Sequence, residues 1–157
     1  MRNALLLALF GAVASGVVTS ACGGPQPPPF KPVTDNKLLM QAVVDPSADL
    51  IWDAVKTIDT TDGTQDIRPK TDAEWAAVRN AAVTVAESGN LLMMVPRAKN
   101  GGEWMLRAQE MITAGEAAMR AAEAKNAEKL FTVGGDLYDS CSNCHRQYLD
   151  AIVNANK

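Results

Sequence analysis

Apolar residues recur at spacings of three and four along most of the chain after residue 34, a period typical of helices with one buried face. The clearest stripe consists of Met105, Ala108, Ile112, Gly115, Met119 and Ala122. A second stripe near the end of the chain consists of Leu130, Gly134, Leu137, Cys141, Cys144, Tyr148 and Ala151. No useful length of sequence alternates with a period of two, so no strand is predicted.

Prolines, caps and polar segments divide this pattern into four helices. Pro46 is expected to kink or break the first helix near Asp45. The polar segment 59–70 predicts a loop, and the capping-box pattern at 71–74 predicts the start of the second helix. The four predicted helices lie at about 35–57, 71–94, 103–124 and 127–153. Short connections between them favour an all-α fold, an antiparallel four-helix bundle, in which cofactor sites lie between facing helices.

The first 34 residues are predicted to serve export and are not expected to belong to the folded domain. Residues 1–21 combine a short positive start with an apolar run, which is typical of a signal peptide. Small residues directly before Cys22 resemble a bacterial lipobox, in which the cysteine carries lipid; ordinary cleavage nearby is the alternative. Residues 22–34 are rich in glycine and proline and predict an extended tether to a domain at 35–157. Gly23 leaves the outer membrane slightly favoured over the inner one.

Composition narrows the range of functions. The chain of 157 residues suits one domain, and its net charge of -3 argues against nucleic-acid binding, which usually needs a basic face. No constellation of catalytic acid, base and nucleophile is visible, so no enzymatic activity is predicted.

The run Cys141-Ser142-Asn143-Cys144-His145 is the strongest chemical signal in the chain. This C-x-x-C-H spacing is the attachment signature of c-type haem. Two thiols one helical turn apart suit the two vinyl groups on one edge of a porphyrin. His145, the chain's one histidine, then offers an imidazole nitrogen to the iron. The sequence therefore predicts one covalent haem on Cys141 and Cys144, with His145 as an iron ligand.

A redox dithiol and a zinc site are two other interpretations of the cysteine pair. A redox dithiol usually sits at the start of a helix that follows a strand, where its thiol pKa is lowered, and no strand is predicted before Cys141. A zinc site would need further cysteine or histidine ligands, and the sequence has no second pair.

Four helices with C-x-x-C-H on the last one resemble the class II c-type cytochromes, the cytochrome c-prime and cytochrome c-556 family. The resemblance covers about residues 35–157 and depends on Cys141, Cys144, His145, Tyr148 and the helix order. It implies covalent haem with His145 as the proximal ligand, and it allows a homodimer formed through the first two helices. Leu149 stands where the family often has a basic residue.

The ligand on the opposite face of the iron separates two functions. In the electron-carrying branch of the family, a methionine early in the first helix binds the iron, and Met40 has that position here. A methionine on an apolar helical face is also ordinary core filler. The other internal methionines are Met93, Met94, Met105, Met111 and Met119. The leading expectation is one-electron transfer with periplasmic redox proteins. The alternative is a five-coordinate haem protein that binds nitric oxide or carbon monoxide.

Charged and aromatic residues supply weaker expectations. Arg146, Arg97 and Lys99 were considered as partners for the haem carboxylates, although solvated surface charges are the simpler interpretation of all three. Trp52, Trp75 and Trp104 are expected on three different helices, as anchors in the core or at its edge. Gly134 and Gly135 in the last helix indicate either the close approach of a ring or neighbouring helix or a local break.

Overall fold

The computed structural model describes residues 30–154, with side chains to residue 149. The predicted signal peptide at 1–21, the predicted lipidation site at Cys22 and the first part of the predicted tether lie outside the described residues. The elements in chain order are α1 (Asn36–Leu39), a π-helical turn (Met40–Val44), α2 (Asp45–Ala54), β1 (Lys56–Thr60), β2 (Gly63–Ile67), α3 (Asp72–Met93), α4 (Glu103–Glu123) and α5 (Ala127–Asn154). The prediction of a mainly helical fold is confirmed.

The first helical segment passes through Pro46 without a break. Asp35 caps it, since its carboxylate accepts a hydrogen bond of 2.8 Å from the amide of Leu38. The turn before the proline widens to π-helical geometry, in which the Asp45 amide donates to the Met40 carbonyl. Proline has no amide hydrogen, and its ring crowds the carbonyl four residues earlier. We attribute the wider turn to that crowding, so the disturbance lies within 40–44 and helical structure continues beyond it.

The prediction of a loop at 59–70 is wrong for most of its length. β1 and β2 form an antiparallel hairpin in which Lys56 pairs with Ile67 and Thr60 pairs with Gly63. Gly63 has a φ of 128°, a conformation that side chains disfavour. Nearly all of both strands is exposed, so neither face needs apolar residues. A strand shows alternating apolar and polar residues only when one of its faces is buried. The sequence of this exposed hairpin therefore has no such pattern.

α3 and α4 form the closest helix pair, and the predicted capping box starts α3. The Thr71 hydroxyl accepts from the Glu74 amide, while the Glu74 carboxylate accepts from the Thr71 amide at 2.9 Å. Further along, Gly115 of α4 lies against the backbone of Ala86 in α3, where an added Cβ would come within 2.8 Å of the Ala86 nitrogen. Small residues on both helices permit this approach.

The predicted stripe on α4 is confirmed in part. Its small residues Ala108, Gly115 and Ala122 are buried, whereas Met105, Ile112 and Met119 are only half-buried. The other buried residues lie on the adjoining side of the helix and are Trp104, Met111, Ala114, Ala118 and Ala121. α4 packs against α3 on one side and α5 on the other, so its orientation is a compromise between two partners. Trp104 lies on the buried side of α4, and its indole nitrogen donates to the buried Leu92 carbonyl at 2.8 Å.

The predicted stripe on α5 is confirmed over its described side chains. Leu130, Gly134, Leu137 and Tyr148 are buried, and the cysteines between them are half-buried. α5 packs mainly on α4 and meets α2 more lightly. Within residues 30–154, no helix combines the length and apolarity that a membrane span requires.

Candidate cofactor site

A cavity of about 560 Å³ opens between the first helical segment and α5, with α4 forming part of its wall. Cys141, Cys144 and His145 line it from α5, and Met40 lines it from the first segment. The fold thus brings together all four residues that the sequence assigned to a haem. The volume lies within the range of ordinary small-molecule and cofactor sites.

The helical period of α5 turns the motif toward this cavity. Cys141 and Cys144 lie one turn apart, on the face that carries Leu137 and Tyr148 into the core. Both thiols are free, and both are half-buried. His145 is exposed to solvent at the cavity, so its imidazole is accessible to a group placed there.

Burial changes the acidity of the two thiols. It raises the pKa of Cys141, and the negative charge of Asp45 adds to that effect. Burial also raises the pKa of Cys144, and the neighbouring Cys141 acts in the same direction. Redox-active dithiols characteristically have a lowered pKa, which is the opposite shift.

A second cavity of about 400 Å³ adjoins the first and shares Met40, Asp45, Cys144, His145 and Leu149 with it. Aromatic residues complete its wall. The Tyr148 ring stacks edge-on against Trp104, with centroids 4.9 Å apart.

The loop between α3 and α4 secures this end of α5. The Asn100 amide donates to the Tyr148 hydroxyl at 2.9 Å, and its side-chain oxygen accepts from the Trp104 backbone amide at 3.0 Å. These contacts hold Tyr148, which lies three residues after His145, and so fix the orientation in which α5 presents the Cys141-to-His145 motif.

Among the described residues, two methionines line a cavity that the motif also lines. Met40 lines both cavities, and Met111, which is buried in α4, lines the larger one. The remaining internal methionines of the sequence are not among the residues that line these two cavities. The family resemblance favours Met40 as the second iron ligand because of its position early in the first helix. The packing of α4 shows that Met111 is a second candidate for that role.

Of the three basic residues considered as partners for the haem carboxylates, one lines a cavity beside the motif. Arg146 lines the larger cavity, whereas neither Arg97 nor Lys99 lines either cavity. The prediction that Arg97 is a solvated surface charge is wrong, because it is only 7% exposed. It donates to the Thr34 hydroxyl at 3.3 Å and to the Leu91 carbonyl at 3.4 Å, and so attaches the start of the domain to the end of α3.

Arg107 and Glu110 form an ion pair near the motif, which sequence reasoning did not identify. Arg107 lines the larger cavity and pairs with both Glu103 and Glu110. The spacing of these three residues, four and then three, is itself a recognisable helix ion-pair pattern. That pattern could have identified the group, although not its position against the cysteines.

Trp52 explains one of the two adjacent glycines in α5. Its indole nitrogen donates to the Gly134 carbonyl at 2.9 Å, and a Cβ at Gly134 would lie 3.4 Å from the ring. The expectation of a close aromatic approach is therefore confirmed at Gly134, and α5 continues through it without a break. Trp52 also lines the cavity and stacks edge-on with Tyr138 at 6.2 Å.

Among the described residues, no group of three or more histidine, cysteine, aspartate and glutamate side chains is arranged to hold a metal ion. A haem iron does not need such a group, because the porphyrin itself supplies the equatorial nitrogens and the protein adds only axial ligands. Comparison with protein-family models, curated proteins and solved structures finds no match to this chain.

Proposed function

We propose that this protein is an exported monohaem c-type cytochrome, an antiparallel four-helix bundle that carries single electrons. The observation that supports it most directly is the common cavity of Cys141, Cys144, His145 and Met40. Residues from opposite ends of the domain meet there in a combination that suits covalent attachment and axial ligation of a haem.

The donor set fits a haem on chemical grounds. Each neutral thiol adds its sulfur and its hydrogen across one vinyl double bond, so a thioether forms without a leaving group or an external oxidant. The free, half-buried state of Cys141 and Cys144 suits this addition. The bound haem supplies an iron that alternates between Fe(III) and Fe(II) by gaining or losing one electron.

His145 and Met40 have distinct tasks in this proposal. His145 offers the proximal imidazole nitrogen from α5, and Met40 offers a thioether from the facing segment. Thioether ligation favours Fe(II) and raises the reduction potential. The π-helical turn begins at Met40, and such turns are frequent at functional sites.

Absorption spectra of the purified protein test the proposal. Covalent haem with a low-spin ferric spectrum and a methionine-to-iron band is expected, and Met40→Ala should abolish the band. Met111→Ala tests the rival methionine, and Met119→Ala on the same helix is the control, since Met119 lines neither cavity. Loss of the band only in Met111→Ala would reassign the sixth ligand.

A high-spin spectrum unchanged by Met40→Ala and Met111→Ala would instead support the second function, the binding of nitric oxide or carbon monoxide. The second cavity beside His145 and Met40 favours this alternative, because it leaves space next to the candidate ligands. Protein that remains colourless after expression in a periplasm able to attach haem would contradict both functions.

The proposed location is the periplasm, with a lipid on Cys22 anchoring the domain to a membrane, and the proposed partners are other redox proteins. Cys22→Ser should release the protein into the soluble periplasmic fraction. If the unaltered protein is already in that fraction, the lipid anchor is wrong while the haem assignment is unaffected.

A further inference from the structure

A network of three charged residues lies on the α4 wall of the larger cavity. Arg107 Nη1 donates to both carboxylate oxygens of Glu110 at 2.8 Å, and Nη2 donates to Glu103 at 3.1 Å. Arg107 Nε is buried and has no hydrogen-bond partner among the described residues. A buried donor without a partner is costly, and the bonds to the two glutamates hold the guanidinium in place against that cost.

The inner pair, Arg107 and Glu110, is partly shielded from water. The Arg107 side chain is 21% exposed and that of Glu110 is 33% exposed, whereas Glu103 is 53% exposed. Partly shielded charges are screened less by solvent and salt than fully solvated ones. Arg107 lines the larger cavity together with Cys144 and His145, and Glu110 is hydrogen-bonded directly to Arg107.

The cavity that Arg107 lines is the one in which Cys141 and Cys144 would hold a haem and His145 would bind its iron. The hydrogen bonds of Arg107 to two glutamates hold its guanidinium at the wall of that cavity. There its charge would act through space on an iron bound by His145.

We propose that Arg107 and Glu110 set the reduction potential of the haem through opposite electrostatic effects on its iron. This inference rests on the proposed haem function. Reduction of Fe(III) to Fe(II) adds one negative charge at the iron. The Arg107 cation therefore favours the reduced state and raises the potential, while the Glu110 carboxylate favours the oxidised state and lowers it.

Paired substitutions of similar size test the proposal in the full-length haem protein. Midpoint potentials are measured by spectroelectrochemical titration at pH 8, where carboxylates that lose their partner stay ionised. Arg107→Gln should lower the potential, Glu110→Gln should raise it, and Arg107→Lys should restore most of the value. The control is Arg120→Gln, which breaks an exposed pair with Glu116 on the same helix, about 20 Å further along the axis, and should shift little.

The sign of the shifts separates this role from a structural one. If the substitutions merely loosened α4 and admitted water, both would lower the potential, because solvent stabilises the more highly charged ferric site. Shifts in the same direction, or no larger than that of the control, would overturn the inference and leave the haem function standing. Absence of covalent haem from the unaltered protein would overturn both.

Discussion

Gly115 offers a quantitative test of how closely α3 and α4 approach. A Cβ built at Gly115 would lie 2.8 Å from the nitrogen and 3.0 Å from the Cα of Ala86. These are backbone atoms, so no rotation of a side chain can relieve the contact. Gly135 is the matched control, because it too lies inside a helix but an added Cβ there meets no atom within 4 Å.

Two opposing effects give the expected magnitudes. Glycine-to-alanine substitution inside a helix stabilises a protein by about 1 kcal/mol through helix propensity, and Gly135→Ala should show this gain. Gly115→Ala gains the same amount but also overpacks the helix interface, which typically costs about 1–3 kcal/mol. With a cost of about 2 kcal/mol, Gly115→Ala should be destabilised by about 1 kcal/mol. The two variants should then differ by about 2 kcal/mol.

Urea unfolding followed by far-UV circular dichroism measures both variants against the unaltered protein under identical conditions. The comparison uses midpoints at an unchanged denaturant slope, so that only the free energy of unfolding differs. If Gly115→Ala stabilises as much as Gly135→Ala, the close contact between α3 and α4 at Ala86 does not exist. If neither variant changes stability, the helix-propensity argument fails instead.

Three further predictions concern local contacts. Thr71→Ala should cost about 1 kcal/mol in urea unfolding because it removes the α3 cap, and an unchanged midpoint would contradict the capping box. The hydrogen bond and charge of Lys125 hold the pKa of Asp72 below its usual range. The stability difference between the parent and Asp72→Asn should therefore be present at neutral pH and shrink in acid, below about pH 4, and a difference constant with pH would refute the pair. Trp52→Phe should cost about 1 kcal/mol through loss of the hydrogen bond to the Gly134 carbonyl, as thermal unfolding would show; an unchanged Tm would refute that bond.

The limits of prediction along this chain have physical causes. The capping box at Thr71 and the face of α5 that carries Cys141 and Cys144 were predictable, since both depend on neighbours within one or two turns. The hairpin was not, because exposed strands need no alternating pattern. The burial of Arg97 was not predictable either, because Thr34, one of its two acceptors, lies far away along the chain.

The sequence alone therefore determined the helices and the Cys141-to-His145 motif, with its two thiols on an inward face of α5. Local backbone geometry and the order of residues suffice for those features. Tertiary structure decided what stands opposite the motif. It brings Met40 and Met111 to the same cavity, extends the buried face of α4 to Trp104 and Met111, and places the Arg107–Glu110 pair at the wall of that cavity. Such meetings depend on how distant helices pack, and that packing is a compromise among several surfaces that no single segment encodes.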